Sequence, residues 1–206
     1  MLKIYLTRHG ETLWNTEKRL QGWKDSELTE KGVNSALKLG DRLCNTEFNA
    51  IYTSPSQRAF QTAKYIAGER NIPIFMEENL KELYFGAWEG RNEADIEQNY
   101  KNEYYNFWNL PHLYNHKPHQ GESLTDLKKR VVESVNRIIS DNPDGNVLIV
   151  SHAVAIKTII SYVMNKSTEN LWDPPFIYGT SLSIFNWDGE KMEVQMLGDT
   201  SHLATC

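Results

Sequence analysis

Two apolar runs, each closed by a histidine, constrain this chain more than any other feature. Ile4-Tyr5-Leu6 leads into Thr7-Arg8-His9-Gly10-Glu11-Thr12, and Val147-Leu148-Ile149-Val150 leads into Ser151-His152-Ala153. Short continuous apolar runs of this kind read as strands buried on both faces. Two such strands ending in histidine place a site at one edge of a sheet. Arg8 beside His9 says what that site holds, because a guanidinium binds oxyanions in a bidentate fork.

The intervening sequence supplies the rest of a sheet. Thr29 caps a helix whose core stripe is Val33, Ala36, Leu37, Gly40 and Cys44, and Ala50-Ile51-Tyr52-Thr53 reads as a short strand. Ser54-Pro55 reads as N-cap and first residue of a second helix, with Ala59, Ala63, Ile66 and Ala67 on one face. Ile74-Phe75 is a further strand that delivers the chain to Leu80-Lys81-Glu82-Leu83. Residues 92–120 are polar, aromatic-rich and broken by Pro111 and Pro118, and read as a lid-like excursion with short helices. Ser123 with Asp126 opens a helix carrying Leu124, Leu127, Val131, Val135 and Ile138, ended by Asn142-Pro143. A helix with Ile156, Ile159, Ile160 and Val163 follows strand 147–150. Leu182-Ser183-Ile184-Phe185 then turns at Asp188-Gly189 into Met192-Glu193-Val194, a hairpin pattern. The alternation predicts a three-layer α/β/α sandwich with a mostly parallel sheet and an antiparallel edge strand, one domain over residues 1–206.

Composition narrows the function. A net charge of −5 argues against nucleic acid or an anionic membrane as partner, so an anion site must come from locally concentrated arginines. Cys44 and Cys206, the two cysteines, form neither a disulfide framework nor a metal signature. The N-terminus runs straight into a strand without a signal-peptide pattern, and no apolar stretch has the length of a membrane span. The expectation is a cytoplasmic protein with a small-molecule substrate, no cofactor and no metal, acting as a monomer or homodimer.

Ligands of open α/β sheets bind beyond the carboxyl ends of the strands. Three strand ends here carry Arg8-His9, Ser54 to Arg58, and His152, with Asn15 as a neutral donor in the loop after His9 and Glu82 as the carboxylate. Arg58 in a first helical turn adds free amides and a favourable dipole for an anion. Phosphate-ester cleavage needs a nucleophile, charge stabilisation and an acid for the leaving alkoxide. A neutral imidazole, two arginines with a protonated His152, and Glu82 match those needs.

Leu6-Thr7-Arg8-His9-Gly10-Glu11-Thr12 with Asn15 resembles the signature of the histidine phosphatase superfamily, the phosphoglycerate-mutase-like fold. The likeness runs through Gln21-Gly22, Leu28 to Gly32, Ser54-Pro55-Ser56-Gln57-Arg58-Ala59, Glu82 to Gly90, Gly121-Glu122-Ser123 and Ser151-His152. It implies His9 as nucleophile, Arg8, Arg58 and His152 as phosphoryl-binding groups, Glu82 as proton donor, and Asn15, Gln21 and Gly22 as substrate contacts. Leu83 to Gly90 is similar to the compact bacterial phosphatase branch, and Trp108 to Tyr114, Trp172 to Thr180 and Gly198 to Leu203 to its broad-specificity members. Ala153 departs from the glycine many members have there. A mutase-type phosphotransferase, a narrow phosphatase such as one acting on alpha-ribazole phosphate, and a catalytically silent binder remain as alternatives.

His112, His116 and His119 have helical metal-ligand spacing, but two prolines work against a regular helix there. Tyr104, Tyr105, Phe107, Trp108 and Tyr114 read as anchors of the excursion or as pocket lining, and Trp88 and Tyr178 share that ambiguity.

Overall fold

A computed structural model describes residues 1–204; Cys206 lies outside the described residues. Six strands form one sheet in the order β3-β2-β4-β1-β5-β6. These are β1 (Leu2–Arg8), β2 (Ala50–Thr53), β3 (Ile74–Met76), β4 (Gly145–Ser151), β5 (Leu182–Trp187) and β6 (Met192–Asp199). β1 to β4 run parallel, β5 pairs antiparallel with β1, and the β5–β6 hairpin closes that end of the sheet. The α/β class with a mostly parallel sheet and an antiparallel edge is therefore as expected.

The helices are α1 (Leu13–Thr16), α2 (Glu30–Arg42), α3 (Gln57–Ala67), α4 (Glu93–Asn99), α5 (Lys101–Asn109), α6 (Leu124–Asp141) and α7 (Ala153–Val163). Alternation along each strand divides the core, since successive side chains point to opposite faces. Tyr5, Leu148 and Val150 pack with α2 and α3 on one face. On the other face Ile4, Leu6, Val147 and Ile149 pack with α6, α7 and the aromatic segment.

Two local expectations shift. The buried face of α2 is Gly32, Ala36 and Leu39, continued by Leu43, while Leu37 and Cys44 are exposed. The apolar stripe is thus rotated, because Gly10 and Glu11 pack against Gly32 and fix which side of α2 meets the sheet. A Cβ on Gly10 would stand 2.5 Å from the Gly32 carbonyl oxygen, which is why the residue after His9 is glycine.

Helix α3 begins at Gln57, with Ser56 as N-cap, two residues later than Ser54-Pro55 suggested. The Ser54 hydroxyl is diverted to His152, and the Asp25 carboxylate accepts from the Gln57 and Arg58 amides in its place. The α6 prediction holds except at its first position: the Ser123 hydroxyl accepts from the Asp126 amide, Leu127, Val131, Val135 and Ile138 are buried, and Leu124, in the first turn, is only partly buried.

Segment 92–120 contains α4, α5 and two single 3-10 turns. Phe107 within it and Trp88 just before it are fully buried, and His119 stacks on Trp88 at 3.9 Å between ring centroids. Both His119 nitrogens have protein partners, the Phe85 carbonyl and the Tyr114 hydroxyl. His116 faces the Gly121 carbonyl and His112 faces Glu169, so the three histidines part company. Among the described residues no helix is long and apolar enough to cross a membrane.

Candidate active site

Strand register assembles the site. Arg8 is level with Ser151, and Thr53 with Val150, so the residues just beyond these strand ends, His9, His152 and Ser54, arrive side by side. The two imidazoles stand 5.2 Å apart between centroids. Arg58 reaches between them from the first turn of α3, its Nε donating to His9 Nε2 at 3.3 Å and its Nη2 to His152 Nδ1 at 3.1 Å.

These contacts set the tautomers. His9 Nδ1 donates to the Gly10 carbonyl at 2.7 Å, which leaves the Nε2 lone pair beside Arg58 and the cavity. His152 accepts at Nδ1 and donates from Nε2 to the Ser54 hydroxyl at 2.8 Å. Burial, then Arg58 and Arg8, hold the His9 imidazole well below its ordinary pKa, so the nitrogen is unprotonated. His152 is likewise held well below, first by burial and then by Arg58, His9 and the arginines beyond. Its imidazole is therefore neutral beside the arginines alone, whereas the sequence leads one to expect it protonated. The positive neighbours oppose a further charge until an anion offsets them.

Arg58 is 1% exposed and fully engaged: Nη2 donates to the Gly22 carbonyl at 2.8 Å, Nη1 to the Lys24 carbonyl at 2.7 Å and to Asp25 at 2.9 Å. Arg8 donates from Nη1 to the Ile177 carbonyl at 2.9 Å, and its Nε is buried without a partner. Glu82 is buried at the N-terminus of α7, accepting from the Val154 and Ala155 amides at 3.2 and 3.1 Å and from its neighbour Leu83 at 2.9 Å. Burial raises its pKa, against the pull of those amides and Arg58. A protonatable carboxyl thus sits among cations.

Arg8, His9, Asn15, Gln21, Gly22, Arg58 and Glu82 all line a cavity of about 450 Å³. His152 lines a smaller polar one of about 240 Å³, which shares Gly22 and Glu82 with the first. The eight expected residues are therefore brought together. A hydrogen-bonded chain through Thr12 orders two of them: Gln21 donates to the Thr12 hydroxyl at 2.8 Å, which donates to Asn15 Oδ1 at 3.0 Å. With its oxygen engaged there and by the Thr12 amide, Asn15 has its NH₂ group left to offer a ligand in the cavity it lines. Gly22 has a φ of +56°, a region that favours glycine, and a Cβ there would collide with the Glu89 carboxylate. The outer cavity is apolar along Phe85, Trp108, Trp172, Phe176 and Ile177, and Ala153 lines it as the first residue of α7.

Several supporting residues escaped the sequence reading. Asp25 holds Arg58, and Thr62 links the Gly10 amide to the Arg58 carbonyl. Glu89 accepts from the Trp23 and Phe85 amides and fastens the loop carrying Gly22. Arg130 on α6 donates to the carbonyls of Asn79, Lys81 and Glu82, and so fixes the irregular segment that presents Glu82. A single charged residue on a helix or loop carries no sequence signal of such a role; only its tertiary partners give it one.

Comparison with known proteins agrees with this geometry. The model of the histidine phosphatase superfamily (branch 1) matches residues 4–200. A probable phosphoglycerate mutase of Erwinia tasmaniensis, GpmB, is 30% identical over 98% of this chain and 95% of its own length. Phosphoserine phosphatase 1 of Hydrogenobacter thermophilus is 27% identical over the same shares. The solved structure of Bacillus stearothermophilus YhfR superposes with a TM-score of 0.95 at 44% identity, covering 99% of this chain and 100% of that one. With the strand-end histidines, the buried arginine between them and a family match over nearly the whole length, this chain belongs to branch 1 of the histidine phosphatase superfamily.

Proposed function

We propose that the protein hydrolyses phosphomonoesters of broad range through a phosphohistidine on His9. The observation that carries this reading is the orientation of His9, whose Nδ1 is committed to the Gly10 carbonyl while an unprotonated Nε2 lies between Arg58 and the cavity. As the phosphate enters, Arg58 Nε–H turns from His9 Nε2 to a phosphate oxygen, and the freed Nε2 attacks phosphorus while the ester P–O bond breaks. Arg8 and Arg58 neutralise the equatorial oxygens as charge spreads, and His152 takes up a proton once the phosphate's negative charge offsets its cationic neighbours. Glu82, whose pKa burial raises, gives its proton to the leaving oxygen. It then takes a proton from the water that attacks the phosphohistidine, and inorganic phosphate leaves.

The aromatic and aliphatic lining of the outer cavity supports bulky or aromatic leaving groups over a single small polar one. The positive charge that offsets the transferring group's negative charge comes from side chains in this scheme, so chelators leave the rate unchanged. A mutase must instead exclude water and return the phosphoryl group to a bound acceptor. Release of free phosphate measured against phosphoglycerate isomerisation separates the two.

The decisive experiment is a rapid quench with labelled phosphomonoester. Acid-labile, base-stable label on His9, absent together with turnover in His9→Ala, is the expected result. Undiminished turnover in His9→Ala sinks the reading.

A further inference from the structure

Lys157 is buried in the cavity wall, 6% exposed, and the proposed chemistry leaves it unused. It projects from α7, and its ammonium donates to two backbone carbonyls, those of Asp173 and of Pro175, the latter at 3.1 Å. The Asp173 carboxylate turns instead to Lys166, 3.0 Å away. The segment so held carries Trp172, Pro174, Phe176 and Ile177 to the cavity. No helix or strand spans residues 173–178; besides the Asp173 amide, which donates to the Asn170 carbonyl at 3.2 Å, and the burial of Ile177, side-chain ties set their position.

Those ties converge on few groups. Trp172 Nε1 donates to the Phe107 carbonyl at 2.5 Å, and Arg8 grips the Ile177 carbonyl at 2.9 Å. Phe176 is 63% exposed, and among the described residues its one aromatic neighbour is Tyr178, a tilted ring 4.6 Å away between centroids, so burial does not fix it. Between Trp172 and Ile177 the backbone is anchored from the core by Lys157.

We propose that Lys157 is a positioning residue for substrate selection: by holding the Asp173 and Pro175 carbonyls it sets the apolar wall of Trp172, Phe176 and Ile177 against the leaving group. Because Arg8 binds the same segment, the wall and the phosphoryl-binding arginine are placed together. The inference rests on the phosphomonoesterase reading above. Methionine at position 157 keeps the length of the side chain but leaves both carbonyls without a donor, and the segment then moves to find one in water.

Steady-state kinetics with 1-naphthyl phosphate and glycerol 2-phosphate test it. In Lys157→Met the KM for the naphthyl ester rises about tenfold with kcat within about twofold, and the KM for the glycerol ester rises less than about threefold. Lys157→Arg, which retains donors for both carbonyls, stays within about threefold of wild type on both esters. Phe176→Ala, a change at an exposed side chain, reproduces the selective rise. An equal loss on both esters with a lowered melting temperature means a purely structural lysine and overturns the proposal, as does an unchanged KM. Should Lys157→Met not fold, Lys157→Gln, with an amide donor for one carbonyl, must show the same selectivity at smaller size. Turnover by the wild type bears on the phosphomonoesterase reading alone. If it turns over neither ester, that reading falls, and the same contrast is measured as dissociation constants of the two esters by calorimetry.

Discussion

Glu82 illustrates how a single side chain acquires a chemical role from its surroundings. Its carboxyl is buried near Arg58 and accepts from two amides at the start of α7, influences that oppose one another. Burial prevails, so the group holds its proton above the ordinary carboxylate range. In the proposed mechanism, loss of that proton as pH rises removes the acid, so Glu82 is expected to set the alkaline limb of the rate profile. His9, held low, is expected to set an acid limb well below the ordinary imidazole value. We expect Glu82→Gln to lower kcat by about 10²–10⁴ for alkyl phosphates, with a smaller loss for nitrophenyl phosphate, whose leaving group needs no proton. The alkaline limb should vanish with it. Equal losses on both leaving groups would place Glu82 outside proton transfer.

At the scale of elements, α3 shows how a helix can be capped from outside its own sequence. Ser56 makes no side-chain cap, the Ser54 hydroxyl serves His152, and the Asp25 carboxylate accepts from the first amides and pairs with Arg58. One residue thus caps the helix and aims Arg58, the group proposed to bind the phosphoryl oxygens. Asp25→Ala should cost about 1–2 kcal/mol in chemical denaturation and raise KM as Arg58 loses its partner. Asp25→Asn restores the cap without the charge, so stability should return while part of the KM rise persists. If KM recovers fully along with stability, the ion pair has no part in aiming Arg58.

The whole molecule carries a consequence of its buried histidines. His9, His152 and His119 are held below the ordinary imidazole value chiefly by burial, and burial with Arg42 takes His202 to about 4. Each binds fewer protons folded than unfolded once pH drops below about 6.5. Their stabilisation is therefore complete above that value and is lost as pH falls through it towards their folded pKa values. Glu82 and Glu93, both raised by burial, act in the opposite sense between the ordinary carboxylate value and their own raised ones, but they are two groups against four. The melting temperature should fall between about pH 7.5 and pH 5, and His119→Gln should flatten the decline while keeping bonds to the Phe85 carbonyl and Tyr114 hydroxyl. An unchanged slope in that variant removes His119 from the account.

The sequence by itself determined the sheet, its layers and the chemical centre. Strand ends and helix caps are written in local patterns, and Arg8, His9, Arg58 and His152 sit at those ends. Glu82 was legible through its resemblance and its place before the aromatic excursion. Tertiary structure alone decided which face of α2 is buried, that Ser54 serves His152 instead of a helix, and that His119 stacks on Trp88. It also decided that Trp108 lines the cavity while Phe107 is buried beside it. The physical reason is range. Caps and periodicity act within a turn or two of the chain, whereas a hydroxyl, carboxylate or ammonium finds its partner among groups that only the packed fold brings within hydrogen-bond distance.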